Sequence, residues 1–289
     1  MESLYTKFTR LRGNNGSLIV LGLDPKDEKQ FERVQDLVGY DEKEGFTNIV
    51  GFKPNAQFYQ SPQGQQFLQR FEDIEGLRII DAKLADGTNT NKAAIQSYAP
   101  NFDAITLNTP DVEGTVRIGE DNGLASIIMG TMSFPSTLQR LNSNYGFNML
   151  RDEINRGIQA GAQGIVMGTT SYIPENKVGE AVDKLRTKID SEDVEHLCVA
   201  EMTNKTLEES ISKRNELFEY CVAAMGDNPK LLALVPGFGR QGGNLEYFLT
   251  SGIDLNRCII NAGSDILKAE DPHKALGEMN DVINSYRNK

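Results

Sequence analysis

The chain has 289 residues, 39% hydrophobic and 25% charged, the balance of a globular protein with enough apolar material for a sizeable core. Its 41 acidic against 30 basic residues leave a net charge of −11, which excludes a broad basic face for nucleic acid, because a phosphate backbone would be repelled. A small anion is not excluded, since a local group of Lys, Arg and backbone N–H donors overrides global charge at short range. The cysteines, Cys198, Cys221 and Cys258, show no CxxC spacing and fit a reducing cytoplasm rather than a disulfide framework or a zinc site. Met1 to Arg12 is polar, without a hydrophobic signal core, and no apolar run approaches the roughly 18 residues that span a bilayer. A cytoplasmic protein without membrane contact is expected.

Eight β-rich runs then recur along the chain, each ending in polar or glycine residues and separated by helix-length segments. They are Ser17–Asp24, Thr47–Lys53, Leu77–Lys83, Phe102–Asn108, Ala125–Met132, Gly164–Thr170, Leu231–Phe238 and Arg257–Gly263. Their apolar stretches are nearly continuous, as expected of parallel strands covered by helices. An open doubly wound sheet is the rival, but eight βα repeats without a GxGxxG after the first run favour a closed (β/α)8 TIM barrel. Residues 1–289 therefore read as one domain. The long stretch 171–230 exceeds a minimal repeat and includes Thr206–Met225, whose apolar residues recur at helical spacing. It is expected to be a helical insertion within the barrel.

Active sites of such barrels lie at the C-terminal strand ends. That rule selects Asp24, Lys53, Asp81, Lys83, Asp86, Asn108, Ser133, Thr170 and the glycine-rich segment after Phe238. Charges in such places are costly unless paired or used. Asn108 fits either a site residue or a strand cap. The densest cluster is Asp81-Ala82-Lys83-Leu84-Ala85-Asp86, where strand alternation sends residues 81 and 83 to the same side. A lysine between two carboxylates stays protonated and can serve as proton donor to a carbanion. A bare DxKxxD also fits a solvated salt-bridge cluster. His196 and His273 lie in no motif, and Asp41–Glu44 reads as a solvated face.

The string DAKLADGTNT resembles the active-site motif of the orotidine 5′-phosphate decarboxylases, and three more segments match in order. GLDP (Gly22–Pro25) is similar to the family's first strand end, FKPN with Phe58 and Tyr59 to its second, and VPGFGRQGG (Val235–Gly243) to its phosphate loop. Weaker similarity appears at Thr131–Ser133, at GIVMGTT and at Gly263–Pro272. The resemblance implies a TIM barrel that converts orotidine 5′-phosphate to uridine 5′-phosphate without metal or organic cofactor. Lys83 would deliver the proton to C6 of the pyrimidine as CO2 departs, with Asp81 beside the leaving carboxylate. Asp24 and Lys53 would bind ribose hydroxyls, Lys53 also holding the aspartates in place, and Ser133 would bind the pyrimidine. Gln241 and the N–H groups around Gly242 and Gly243 would hold the phosphate. Asp86 and Thr90 would reach into the site of a second copy, making the protein a homodimer.

Two departures from the family pattern stand out. The eighth strand usually ends in Gly-Arg, whose arginine grips the phosphate; here it ends in Gly263-Ser264, with Asp265 next. Arg240, directly before Gln241, is the expected substitute. Gly87-Thr88 also replaces the usual Ile-Pro or Ile-Gly. Two other functions stay open. A Mg2+-dependent sugar-phosphate lyase or decarboxylase of the same superfamily would carry an acid at the second strand, where this chain has Lys53. A nucleotide-phosphate binding protein without catalysis would fit the missing arginine.

Overall fold

A computed structural model of the chain describes residues 2–25, 28–39, 48–70, 75–132, 135–191, 197–237 and 245–287. Eight parallel strands close in chain order into a barrel: β1 (Ile19–Leu23), β2 (Gly51–Pro54), β3 (Leu77–Leu84), β4 (Ala104–Leu107), β5 (Ala125–Thr131), β6 (Gly164–Met167), β7 (Leu232–Val235) and β8 (Cys258–Ala262). The closure pairs β1 with β8 through Ile19 opposite Ile260. Each of the eight expected runs overlaps one strand, with β2 and β3 running one residue past the expected ends. Their unbroken apolar character has a simple cause: side chains on one face fill the barrel and those on the other meet the helices, so Leu18, Ile19, Val20 and Leu21 are all fully buried.

Among the described residues the helices are α1 (Leu4–Asn15), α2 (Glu28–Gly39), α3 (Ala56–Gln60), α4 (Pro62–Arg70), α5 (Thr88–Tyr98), α6 (Val112–Asp121), α7 (Pro135–Leu141), α8 (Asn144–Gln159), α9 (Val178–Asp190), α10 (Asn204–Asp227), α11 (Leu245–Leu249), α12 (Ser264–Lys268) and α13 (Pro272–Arg287). Several begin at a hydroxyl that satisfies an otherwise unpaired backbone donor. Ser3 accepts from the Thr6 N–H at 3.2 Å, Ser143 from Gly146 at 3.0 Å and Thr203 from Thr206 at 3.1 Å.

The helix expected at Thr206–Met225 is α10, which starts two residues earlier because Thr203 caps it. Its inner face sends Leu217, Phe218, Cys221 and Met225 into the main core. Toward its N-terminus, Leu207 and Ile211 join Leu138, Val182, Val199 and Met202 in a separate apolar cluster with α7 and α9. Among the described residues of 171–230 the α-helices are α9 and α10, and α10 packs into the main core.

All three cysteines are free, Cys198 exposed and the other two buried, and burial pushes the Cys221 thiol up to about 12. His273 pairs with Asp36 at 3.3 Å between α13 and α2, and His196 lies outside the described residues, as do Asp41–Glu44. Among the described residues no helix is long and apolar enough to cross a membrane.

One backbone contact fixes the height of β2 in the barrel. Gly51 lies against β3 so closely that a Cβ there would sit 1.9 Å from the Leu77 carbonyl oxygen and 2.5 Å from its nitrogen. Because the obstacle is backbone, the strand itself must move to relieve it. Gly51→Ala should cost about 1–3 kcal/mol or more, the range of overpacked cores, read as a lower urea midpoint.

Candidate active site

The C-terminal mouth of β2 and β3 gathers three charges into one chain of contacts. Lys53 stands on β2 with a buried side chain, and its Nζ donates to Asp81 Oδ2 at 2.5 Å. Lys83 Nζ meets the other oxygen, Asp81 Oδ1, at 2.7 Å. The carboxylate of Asp81 therefore has one ammonium on each oxygen. Parallel register explains the reach: Asn55, not Lys53, stands opposite Asp81. The lysine stem must run two residues up the barrel to arrive, as a long flexible side chain can.

Burial and charge oppose one another here. Burial raises the Asp81 carboxyl, but the charges and hydrogen bonds of Lys53 and Lys83 outweigh it and hold the group well below the ordinary carboxylate range. For Lys53 burial is the largest influence and lowers the ammonium from its usual value, while Asp81 pulls the other way. A carboxylate at hydrogen-bond distance favours the charged form of the lysine against that burial. Lys83 is different. Its side chain is 46% exposed, so one end of the network opens to the mouth of the barrel.

Lys83 does not sit on a regular strand. Its φ is 45°, the left-handed region, and the β3–β4 register shifts between Ile80 and Leu84. A non-glycine residue there costs on the order of 1–3 kcal/mol and persists only where surroundings impose it. The meeting of Lys83 with Asp81 therefore comes from this irregularity and not from plain strand alternation. Thr106, buried on β4, supports it: its Oγ1 accepts the Lys83 N–H at 3.0 Å and donates to Asp81 Oδ1 at 2.9 Å. Sequence reasoning missed Thr106, since a threonine in a β-run is ordinary. Two strand-end polar residues on one carboxylate could have been sought only with the register known.

The other expected residues are placed as follows. Asp24 is exposed just past β1 and accepts from Asn55 Nδ2 at 2.6 Å, while Asn55 Oδ1 caps α3 by accepting from the Phe58 N–H at 2.6 Å. Asn55 thus links the first and second strand ends, a role its position in FKPN did not reveal. Asp86 is exposed, and its Oδ1 accepts from the Gly87 N–H at 2.7 Å. Its carbonyl is pinned by Asn91 Nδ2 at 2.5 Å and by Thr109 Oγ1 at 2.6 Å. Thr90 is exposed on α5. Asn108 donates its backbone N–H to the Leu84 carbonyl at 2.8 Å, extending the β3–β4 ladder, and its side chain is exposed. Ser264 opens the short α12, exposed, beside a half-buried Asp265. Ser133, Arg240, Gln241, Gly242 and Gly243 lie outside the described residues.

The arrangement can hold a proton at Lys83 Nζ, fix it against a carboxylate, and present it to a molecule in the barrel mouth. Breaking it has a predictable cost. Removing Asp81 leaves the buried Lys53 charge unpaired, so Asp81→Ala should lose about 3–5 kcal/mol at neutral pH. Because the folded-state value of Asp81 is depressed, its stabilisation is complete above the unfolded value of 3.8 and is lost as pH falls below it. Urea unfolding of wild type and Asp81→Ala should show a gap at pH 7 that narrows in acid below that value.

No protein-family model matches the chain. Two curated orotidine 5′-phosphate decarboxylases from Dehalococcoides mccartyi are similar to it, at 24% identity over 308 residues and 23% over 311. Each alignment covers 98% of both chains. Among solved structures, Leishmania donovani OMP decarboxylase has a TM-score of 0.64 at 18% identity, covering 100% of each chain. The structure of Leishmania donovani UMP synthase has a TM-score of 0.62 at 19% identity; it matches 99% of this chain, which spans 57% of that longer one. The structural likenesses establish a shared barrel fold. By sequence similarity along its whole length, the chain is a homologue of the orotidine 5′-phosphate decarboxylases.

Proposed function

We propose that the protein is a carboxy-lyase converting orotidine 5′-phosphate to uridine 5′-phosphate. The observation that carries this reading is the Lys53–Asp81–Lys83 chain, with an ammonium fixed by a carboxylate and open to the barrel mouth. In the reaction the bond between C6 and the carboxylate breaks, its electron pair stays on C6, and CO2 leaves. Lys83 Nζ gives its proton to C6, so a neutral amine remains to be reprotonated from solvent. No electron sink delocalises that pair, so the barrier must fall through positioning and preorganised charge. Lys83 supplies both. Asp81 sets its place, and Lys53 holds Asp81 from the other side.

Binding of the remote phosphate would orient the ring over Lys83. This role is assigned to Gln241, Gly242 and Gly243, with Arg240 replacing the arginine absent at Ser264. Asp24 and Lys53 would bind the ribose and Ser133 the pyrimidine, with Asn108 at the rim. Neither metal nor organic cofactor enters this scheme. Both oxygens of Asp81 are already taken by lysines, and a divalent cation there would have to displace an ammonium. The competing Mg2+-dependent lyase therefore fits the site less well.

Purified protein should convert orotidine 5′-phosphate to uridine 5′-phosphate, followed by ultraviolet absorbance, at a rate insensitive to EDTA. Lys83→Ala should abolish it. Loss of activity with EDTA would revive the metal-dependent lyase. A folded protein that binds uridine 5′-phosphate but shows no turnover would instead support the binding-protein reading.

The exposed Asp86 fits a carboxylate that works in a second copy, and we assign the protein as a homodimer sharing Asp86 and Thr90. Subunit mixing tests this. Lys83→Ala and Asp86→Ala are each expected to be inactive, but equal mixing with exchange makes half the dimers mixed, each with one complete site. Recovery of about a quarter of wild-type activity is expected for this two-fold arrangement. No recovery would place Lys83 and Asp86 in the site of one chain.

A further inference from the structure

We infer that Thr106 is a positioning residue that holds the proton-donating lysine in place. The inference rests on the proposed reaction for its kinetic consequence but on geometry alone for its structural one. A threonine hydroxyl has a single proton and two lone pairs. Here the proton goes to Asp81 Oδ1 and a lone pair receives the Lys83 N–H, at 2.9 Å and 3.0 Å. Both partners belong to the same turn of β3, and the carboxylate oxygen that Thr106 binds is the one that meets Lys83 Nζ. One buried hydroxyl thus fixes the lysine at both ends, its backbone and its counter-ion.

The backbone contact is as important as the carboxylate contact. Where β3 and β4 lose register between Ile80 and Leu84, the Lys83 amide leaves the ordinary ladder, and Lys83 adopts φ 45°. A strand-interior N–H without a partner is costly, and the left-handed conformation of a lysine adds strain. Thr106 gives that N–H an acceptor without restoring the ladder. Valine at 106 would keep the shape and β-branching but offer neither donor nor acceptor. The turn would then be free to relax toward regular strand, carrying the ammonium away from Asp81 Oδ1. Serine would keep the hydroxyl and both bonds.

The test compares wild type, Thr106→Val and Thr106→Ser by two readouts. Amide hydrogen exchange at Lys83, followed by NMR, reads the structural claim whether or not any variant turns over. Lys83 should be protected in wild type and Thr106→Ser and lose protection in Thr106→Val. In steady-state kinetics, Thr106→Val should lower kcat about 100-fold, the effect of misplacing a reacting group by roughly 1 Å. Its affinity for uridine 5′-phosphate, which has no carboxylate to meet Asp81, should stay unchanged, and Thr106→Ser should recover most of kcat. Wild-type exchange at Lys83 in Thr106→Val, or a Thr106→Ser variant as impaired as Thr106→Val, would overturn the inference. Should Thr106→Val not fold, an unprotected Lys83 amide in wild type would overturn it equally. A wild type with protected Lys83 but no turnover would refute the reaction and leave the positioning role of Thr106 standing.

Discussion

The structure turns on a single carboxylate held between two ammoniums. Asp81 lies mostly out of water, where an isolated charge would be neutralised, yet it remains charged because each of its oxygens faces its own lysine. Each partner would be intolerable alone. Lys53 is buried deeply enough that its ammonium depends chiefly on Asp81, and Lys83 sits in a backbone conformation that its own preferences oppose. The network therefore depends most on its middle member: removing Asp81 strands the buried Lys53 and takes the counter-ion from Lys83.

A closed parallel barrel suits this arrangement. Adjacent strands arrive at the same rim with the same polarity, so residues distant in sequence converge there while the apolar layers below stay rigid. Lys53 comes from β2, Asp81 and Lys83 from β3, and Thr106 from β4. The close approach of Gly51 to Leu77 sets the height of β2 relative to β3 and with it the level at which Lys53 Nζ emerges. Backbone packing at the bottom of these strands thus governs ion-pair geometry at their tops.

This layering also explains what could be read from the amino-acid sequence. The strands were legible because burial on both faces leaves an unbroken apolar run, and α10 was legible because its inner face repeats at helical spacing. The charged residues were legible as exceptions at the ends of those runs. Three features were not. Lysine has no preference for a left-handed turn, so the break at Lys83 is imposed by tertiary contacts that no local pattern encodes. Thr106 looks like any strand threonine until register sets it beside Asp81. Asn55 appeared only as the end of FKPN, whereas in the structure it caps α3 and its amide reaches Asp24 across the strand ends.

The charge balance of the site bears on how the proposed decarboxylation is driven. One account places a carboxylate against the substrate carboxylate, so that repulsion destabilises the ground state. In this chain Asp81 is flanked by two ammoniums, and the three groups together carry a net positive charge. Such a cluster attracts the substrate anion, and even with an Asp86 supplied by a second copy it is no more than neutral. Ground-state repulsion from Asp81 is accordingly blunted. The interaction that grows along the reaction is a different one: as charge moves from the departing carboxylate onto C6, it approaches an ammonium already fixed in direction and needing no reorganisation. On this reasoning Asp81 acts chiefly by aiming Lys83, and the energy spent on the left-handed turn is recovered where the carbanion forms.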